Sequence, residues 1–275
     1  MELDQLGISA SLYAKRANKD VLVLYFGESN LEKAHKIDNY YGFIDGIEGK
    51  DLYKNGIKQA KNLGVEIKEE EVLNIEKGQD TFKVKTAENI FESKTVIIAT
   101  GNKKIKPHIK GINEFEGKGI SYCAICDGFF YRNKNVAVIG NGKFALSEAN
   151  DLKNIVNTIT ILTNGEGIEN QSEYDVNTKK IKEIHGDIKV SSVEFEDGTT
   201  LELDGVFIAL GEAGGIDFAK KLGVIVKEDN IVVNEEMETN IKGLYACGNS
   251  TGGLLQVCKA VCEGAKAGLS AINKN

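Results

Sequence analysis

The chain has 275 residues and a mass of 29.9 kDa, enough for one large or two ordinary domains. Its 41% hydrophobic and 27% charged residues exclude a disordered, collagen-like or coiled-coil protein, and its formal net charge of −7 argues against nucleic acid or an anionic membrane as a partner. No apolar run approaches the about 20 residues that span a bilayer, and residues 1–25 lack a signal-peptide pattern, so we expect a cytoplasmic protein.

Short β-rich runs alternate with helical patterns over the first part of the chain. In chain order, the hydrophobic pattern predicts helices over 7–17 and 49–63 and strands over 21–25, 65–67, 72–75, 81–86, 89–92 and 95–101. The three strands between residues 72 and 92 predict an antiparallel meander. The last strand ends in Ala99, Thr100 and Gly101, and such ends of parallel strands are where a cofactor lies in α/β proteins.

The same alternation restarts at residue 135. It predicts strands over 135–139, 158–162, 189–195, 200–203, 206–210 and 243–249 and helices over 146–155 and 254–272, with a turn at Asp197-Gly198. These elements predict an α/β fold of two Rossmann-like, three-layer domains, the second inserted in the first. We place the domain borders so that residues 1–111 and 241–275 form one domain and residues 112–240 form the other.

Two cysteines, Cys123 and Cys126, are separated by two residues and followed by Asp127. Thiols at this spacing can close a small disulfide ring and exchange electrons reversibly, and the neighbouring carboxylate can move the proton that the exchange requires. The alternative is a zinc site completed by Cys258 and Cys262 on the last predicted helix. We expect no metal and interpret three cysteines as ordinary buried ones: Cys247, Cys258 and Cys262.

A glycine turn, Gly140-Asn141-Gly142-Lys143-Phe144-Ala145, follows a predicted strand and opens a helix. This is the context in which G-x-G-x-x-A holds a pyrophosphate at a helix N-terminus. A dinucleotide site also needs an acid or arginines at the end of the next strand, where this chain has Thr163-Asn164-Gly165 and no arginine beyond Arg16 and Arg132. We interpret the turn as strand-to-helix packing, with nucleotide binding as the alternative.

The residues C-A-I-C-D-G at 123–128, followed by V-A-V-I-G-N-G at 136–142, resemble the bacterial thioredoxin reductases, and the likeness extends over nearly the whole chain. The resemblance implies domains of the FAD- and NAD(P)-binding type, FAD as cofactor, thioredoxin or a similar protein as substrate, and a homodimer. It also implies that Cys126 faces the flavin, that Cys123 attacks the substrate disulfide and that Asp127 handles the proton. The residues that it implies for FAD binding are Gly7, Asn30, Leu31, Asn39, Ala99, Thr100, Gly101, Gly248, Asn249, Leu255, Gln256 and Val257.

Several positions depart from the pattern of that family. The family opens with a strand and G-x-G-P-A-G, whereas Gly7 aligns with the last glycine of that motif, and Tyr25 replaces the ribose-binding Glu, so we expect the chain as written to hold FAD poorly. Tyr41 replaces a Pro and Asn249 an Asp of the flavin-binding segments. The NADPH signature H-R-R-x-x-x-R is replaced by residues 163–165. This last pattern is similar to the flavin thioredoxin reductases of anaerobes, which take electrons from ferredoxin.

The leading hypothesis is an FAD enzyme that reduces a thioredoxin through Cys123 and Cys126 with electrons from ferredoxin. One alternative is an ordinary NADPH-dependent thioredoxin reductase, which would hold its cofactor at residues 140–145. An alternative of another class is a truncated, non-catalytic remnant that binds no flavin. The sequence also contains a cluster of four lysines, Lys103, Lys104, Lys106 and Lys110. This cluster is either a solvated loop or a patch that binds an acidic ferredoxin.

Overall fold

The structure of this chain is a computed structural model that describes residues 5–27, 29–101, 107–211, 214–228, 230–254 and 256–273. The α-helices in these residues are α1 (Gln5–Arg16), α2 (Gly49–Asn62), α3 (Ile112–Phe115), α4 (Ala124–Asp127), α5 (Lys143–Leu152), α6 (Gly215–Lys221) and α7 (Val257–Asn273). The strands are β1 (Leu22–Tyr25), β2 (Glu66–Glu69), β3 (Val72–Lys77), β4 (Phe82–Thr86), β5 (Ile90–Ser93), β6 (Val96–Ile98), β7 (Ile120–Ser121), β8 (Asn135–Ile139), β9 (Thr158–Leu162), β10 (Asp175–Asn177), β11 (Ile181–Gly186), β12 (Val190–Phe195), β13 (Thr200–Glu202), β14 (Gly205–Ile208), β15 (Val226–Lys227), β16 (Asn230–Ile231) and β17 (Leu244–Ala246).

The chain divides into two compact units. The first comprises residues 1–103 and 214–275, and the second, residues 104–213, is inserted in it, in agreement with the predicted order. The predicted borders after residues 111 and 240 differ from this division. Helix α6 packs within the first unit. Gly215 at its start lies so close to Thr100, which follows β6, that a β-carbon on Gly215 would collide with the Thr100 side chain.

Parallel strands form the core of the first unit. Strand β1 pairs with β2 and β6 pairs with β17, while β3, β4 and β5 form the predicted antiparallel meander. The three side chains of β17 are fully buried, as is expected for a parallel strand that is covered on both faces. This buried pair of strands brings the residues after Ile98 and after Ala246 to the same edge of the first unit.

Helices α1 and α7 pack closely in the first unit because α7 carries small residues on its buried face. A β-carbon on Gly268 would come within 2.5 Å of the carbonyl oxygen of Ala10, so the two helix backbones are in direct contact. The hydroxyl of Ser9 donates to the carbonyl of Val261 at 2.7 Å. The other small residues on the buried face of α7 are Ala260, Gly264, Ala267 and Ala271.

The second unit is built on a parallel sheet with strand order β10-β9-β8-β14-β7. Strands β8 and β14 lie in its centre, and the apolar side chains of residues 136–139 are at most 2% exposed. An antiparallel sheet of β11, β12 and β13 completes the unit, and Gly198 adopts a positive φ of 81° in the predicted turn between β12 and β13. Helix α5 follows the central strand and contacts β8 and β9.

Most predicted elements are observed with small shifts at their ends. Helix α5 begins at Lys143, directly after the glycine turn, and α7 begins at Val257. The hydrophobic pattern missed helices α3, α4 and α6 and strands β7, β10, β11, β15 and β16, most of which span four residues or fewer. Within the described part of the chain, no helix is long and apolar enough to cross a membrane.

Candidate active site

Cys123 and Cys126 form a disulfide with their α-carbons 5.3 Å apart. Cys123 caps the N-terminus of α4, and its Sγ accepts a hydrogen bond from the backbone N–H of Cys126 at 3.2 Å. The two sulfurs differ in access, because Cys123 is only 3% exposed whereas Cys126 is exposed. A disulfide at this spacing can open and close reversibly, so this part of the site is suited to electron exchange.

The three cysteines outside the disulfide behave differently from one another. Cys247 is buried at the end of β17, as predicted. Cys258 and Cys262 are exposed on α7, which contradicts the prediction that they are buried. Helix α7 packs on the rest of the first unit through a face of small residues, and Cys258 and Cys262 are not on that face. The prediction that they are buried is therefore wrong.

Asp127 is connected to the disulfide through Ser121. The Ser121 hydroxyl donates to Asp127 Oδ2 at 2.6 Å and accepts from the backbone N–H of Cys123 at 3.1 Å. The backbone N–H of Asp127 in turn donates to the carbonyl of Cys123 at 3.1 Å. Burial, followed by the negative charge of Asp127, raises the pKa of the nearby Tyr131 hydroxyl. The predicted proton-handling carboxylate is thus held in a fixed hydrogen-bond network beside Cys123.

Glu148 is a site residue that sequence reasoning missed. It lies on α5, is 1% exposed, and its Oε2 accepts the backbone N–H of Ala124, the residue after Cys123, at 2.7 Å. A buried carboxylate is costly unless hydrogen bonds compensate it, so this contact ties α4 to α5. The available signal was its position between Phe144 and Leu152 on the apolar face of α5, where a charged residue is out of place.

The glycine turn before α5 is tightly packed. A β-carbon on Gly140 would collide with the carbonyl of Ala209 after β14 and would lie 2.8 Å from the β-carbon of Ala145. This close approach explains why position 140 needs a glycine, and it agrees with strand-to-helix packing as the role of the turn. At the end of β9, the Thr163 hydroxyl donates to the carbonyl of Glu166, so that side chain is engaged within its own loop.

Two of the predicted FAD residues that are far apart in sequence meet in the first unit. The Asn39 Nδ2 donates to Gln256 Oε1 at 2.9 Å, and both side chains are exposed. Gly7 lies in α1, where a β-carbon would be 3.9 Å from Ala99 at the end of β6 and 4.0 Å from Val23 of β1. Gly7 thus lies beside the end of β6, and Asn39 lies beside the start of α7.

The other predicted FAD residues also belong to the first unit, and two of them are not fully described. Leu31 is buried, and its N–H donates to Ser29 Oγ at 3.1 Å. Thr100 and Gly101 follow β6, and Gly248 and Asn249 follow β17, the strand paired with β6. The side chain of Asn30 and the whole of Leu255 lie outside the described residues.

An ion pair fixes the turn after β17. Glu263 Oε2 accepts the N–H of Gly248 at 2.7 Å, and Lys259 Nζ donates to the Gly248 carbonyl at 2.8 Å. The Lys259 and Glu263 side chains are themselves 3.0 Å apart and mostly buried. Because both backbone groups of Gly248 are engaged by side chains of α7, this turn is fixed before any ligand binds.

These residues fit a flavin. The exposed amides of Asn39 and Gln256 offer the donors and acceptors that the polar edge of an isoalloxazine ring requires. At the end of β1, the hydroxyl of Tyr25 donates to Glu69 at 3.4 Å, and burial together with this carboxylate raises the pKa of Tyr25. An acid therefore still stands beside the position from which the family binds the adenosine ribose.

The predicted lysine patch falls mostly outside the described residues. This is the case for Lys103, Lys104 and Lys106. Lys110 is described and forms an ion pair with Glu183 at 2.8 Å, so its charge is already partly neutralised. His185 and Glu194 lie next to Glu183 in a geometry that could hold a metal, but Lys110 and Lys182 already pair with its two carboxylates.

Comparison with known proteins identifies the family to which this chain belongs. Residues 7–264 match the family model of the pyridine nucleotide-disulphide oxidoreductases. A thioredoxin reductase of Aquifex aeolicus is 33% identical over 285 residues, which cover 96% of this chain and 88% of that relative. A thioredoxin reductase of Treponema pallidum is 35% identical and covers 95% of this chain and 91% of its own length.

Two solved structures are similar over almost the entire chain. The atypical thioredoxin reductase TRi from Desulfovibrio vulgaris Hildenborough has a TM-score of 0.93 and 36% identity, covering 99% of this chain and 95% of that one. A ferredoxin-flavin thioredoxin reductase from Clostridium acetobutylicum has a TM-score of 0.69 and 34% identity, covering 97% and 93%. The chain therefore belongs to the pyridine nucleotide-disulphide oxidoreductase family and, within it, to the FAD-binding thioredoxin reductases.

Proposed function

We propose that this thioredoxin reductase takes its electrons from a ferredoxin rather than from NADPH. The proposal rests on the loop that follows β9, where two polar side chains are hydrogen-bonded within their own unit. The Thr163 hydroxyl donates to the Glu166 carbonyl, and Asn164 Oδ1 accepts the N–H of Ile181 at 2.8 Å. Both side chains at the ribose-binding position are thus engaged by the backbone of their own unit, and residues 133–178 contain no arginine for a 2′-phosphate.

A second candidate is the NADPH-dependent enzyme. It is favoured by the persistence of the glycine turn and by Lys143, which is exposed at the start of α5. The similarity to a ferredoxin-flavin thioredoxin reductase supports the ferredoxin donor, while most of the similar proteins are described only as thioredoxin reductases.

The disulfide segment supports the following assignment of roles. FAD, when bound, supplies a two-electron carrier between the donor and the Cys123–Cys126 disulfide. The N–H of Cys126 stabilises negative charge on Cys123 Sγ, which favours this sulfur as the thiolate that attacks the substrate disulfide. That attack forms a mixed disulfide and releases one substrate thiolate, which is protonated through Asp127. Cys126 then attacks Cys123, re-forms the disulfide and releases the second substrate thiol.

Access to Cys123 requires a change in this segment. In the oxidised form Cys123 is only 3% exposed, so a protein substrate cannot reach its sulfur directly. Next to it, three large apolar side chains are exposed: Ile125, Phe129 and Phe130. An exposed apolar patch beside a disulfide favours a protein substrate such as thioredoxin over a small disulfide.

The experiment that tests the donor is anaerobic reduction of the bound flavin by NADPH, by NADH and by chemically reduced ferredoxin in parallel. We expect rapid bleaching of the flavin absorbance with ferredoxin and slow or no bleaching with either nucleotide. Rapid reduction by micromolar NADPH would establish the second candidate instead. A protein that purifies without flavin would favour the non-catalytic remnant. The family resemblance also supports a cytoplasmic homodimer, for which sedimentation equilibrium tests the dimer.

A further inference from the structure

We propose that Glu169 is a specificity-determining residue that keeps nicotinamide dinucleotides out of the second unit. Glu169 lies in the loop after β9, and this loop folds back over the glycine turn that begins α5. The inference deepens the proposed function and rests on it, since an enzyme supplied by a protein donor gains from excluding a competing nucleotide.

Backbone contacts hold the loop over the turn. The N–H of Glu169 donates to the carbonyl of Asn141 at 3.0 Å, and Asn141 Nδ2 donates to the carbonyl of Gly167 at 3.4 Å. Asn141 is the middle residue of the glycine turn, so both contacts fix the loop directly on it. A dinucleotide could enter only by breaking these contacts.

The carboxylate of Glu169 lies next to the second glycine of the turn. Its Oε2 lies 3.1 Å from the position that a β-carbon on Gly142 would occupy. In dinucleotide-binding turns, the glycine at this point lets the backbone approach the pyrophosphate, and the helix N-terminus favours its negative charge. Here the chain's own carboxylate stands beside Gly142, at the start of α5. It would repel a pyrophosphate that approaches the same turn.

A charge series at this position tests the inference. The variants Glu169→Gln and Glu169→Lys are compared with the matched controls Glu202→Gln and Glu202→Lys, because Glu202 is an exposed acid of the same unit, on β13 and outside the loop. Binding of NAD⁺ and NADP⁺ to the oxidised holoenzyme is measured by calorimetry at low ionic strength, since both side chains are exposed and salt screens them. Circular dichroism and flavin content establish that each variant is folded.

We expect Glu169→Lys to bind both nucleotides about tenfold more tightly than Glu202→Lys, and Glu169→Gln to show a smaller gain in the same direction. Equal dissociation constants within each matched pair would overturn the inference, as would micromolar NADP⁺ binding by the wild type. The Glu169→Gln pair keeps the test valid if the lysine variant does not fold. Because ferredoxin is absent from this assay, a failed ferredoxin donor would leave the Glu169 result standing, and the reverse also holds.

Discussion

The two halves of helix α5 contact different parts of the second unit. At its start, Gly142 is covered by Glu169 of the following loop, and the turn serves packing. In its second half, Glu148 holds the N–H of Ala124, and Leu152 packs where a β-carbon on Gly128 would lie 2.9 Å away. The first half begins with a glycine turn of the kind found at nucleotide sites, whereas the second half supports the disulfide.

The packing around Gly140 explains why the chain has a glycine turn before α5. Gly140 lets the end of β8 approach Ala209 closely, and the helix that follows carries Glu148, which binds the first residue of α4. The glycine at position 140 is therefore required by packing, independently of any dinucleotide. The same reasoning predicts that substitutions in the second half of α5 affect reduction of the disulfide, whereas those at its start affect stability alone.

The largest effect is expected at the disulfide itself. Replacing Cys123 or Cys126 with Ser removes electron transfer to the substrate, so the rate of thioredoxin reduction should fall at least about 1,000-fold. The two variants should differ in trapping: Cys126→Ser should accumulate a mixed disulfide with thioredoxin, because Cys123 remains to attack. Turnover is measured with reduced ferredoxin as donor, and mixed disulfides are detected by non-reducing electrophoresis.

Cys258 provides the matched control. It is an exposed cysteine of the first unit, and Cys258→Ala should leave turnover within about threefold of wild type. A loss comparable to that of Cys123→Ser would contradict the assignment of the dithiol. Trapping by Cys123→Ser rather than by Cys126→Ser would exchange the roles of the two sulfurs.

The next effect is expected at Glu148. Truncation in Glu148→Ala leaves the buried N–H of Ala124 without its partner and creates a cavity, so the free energy of unfolding should fall by about 2–4 kcal/mol. Thioredoxin reduction per folded molecule should also fall, since α4 loses its attachment. Urea unfolding and steady-state turnover measure the two effects.

A variant at the other end of the same helix sharpens this prediction. Lys143→Ala changes an exposed residue in the first turn of α5 and should alter stability by less than about 0.5 kcal/mol. If Glu148→Ala were no more disruptive than Lys143→Ala, the hydrogen bond to Ala124 would not be what holds the disulfide segment, and the comparison between the two halves of α5 would fail.

Sequence patterns predicted the features that contiguous residues encode. The strand over 135–139 and the pairing of Cys123 with Cys126 followed from runs and spacings within a few residues. The close packing of the glycine turn also agrees with its interpretation from sequence. Each of these depends on local backbone geometry, which short-range pattern is sufficient to specify.

The remaining site residues depend on contacts between distant segments. Glu148 acts through Ala124, 24 positions away, and Asn39 meets Gln256 across 217 positions. No local rule predicts such pairs, although the acid on the apolar face of α5 was a visible signal. The wrong prediction for Cys258 has a related cause, because the buried side of a helix rich in small residues depends on its partner helix.

A smaller effect on stability is expected at Gly140. In Gly140→Ala the new β-carbon collides with the carbonyl of Ala209, and the strain should lower the free energy of unfolding by about 1–3 kcal/mol. Gly167→Ala is the matched control, because an added β-carbon there meets no atom within 4 Å. Chemical denaturation measures both. Equal stability of the two variants would show that the glycine turn is not a packing feature.

The smallest effect concerns Tyr131, which packs on Phe207 in the disulfide-bearing unit with ring centroids 5.3 Å apart. Burial first, and the charge of Asp127 second, raise the pKa of Tyr131 above its ordinary value of about 10. Its protonated form is therefore favoured by folding, and the resulting stabilisation is present below pH 10 and lost as pH rises through the folded pKa.

We accordingly expect the stability difference between wild type and Tyr131→Phe to shrink as pH rises above 10, as measured by urea unfolding across that range. Ultraviolet difference titration against Tyr131→Phe locates the pKa directly, and the absence of Trp from the chain simplifies the spectra. Asp127→Asn should lower this pKa without returning it to the ordinary value, because burial is the larger cause. If the pKa of Tyr131 returned fully to its ordinary value in Asp127→Asn, the charge of Asp127 would be the larger cause of the shift. If the stability difference between wild type and Tyr131→Phe did not change with pH, the raised pKa of Tyr131 would be contradicted.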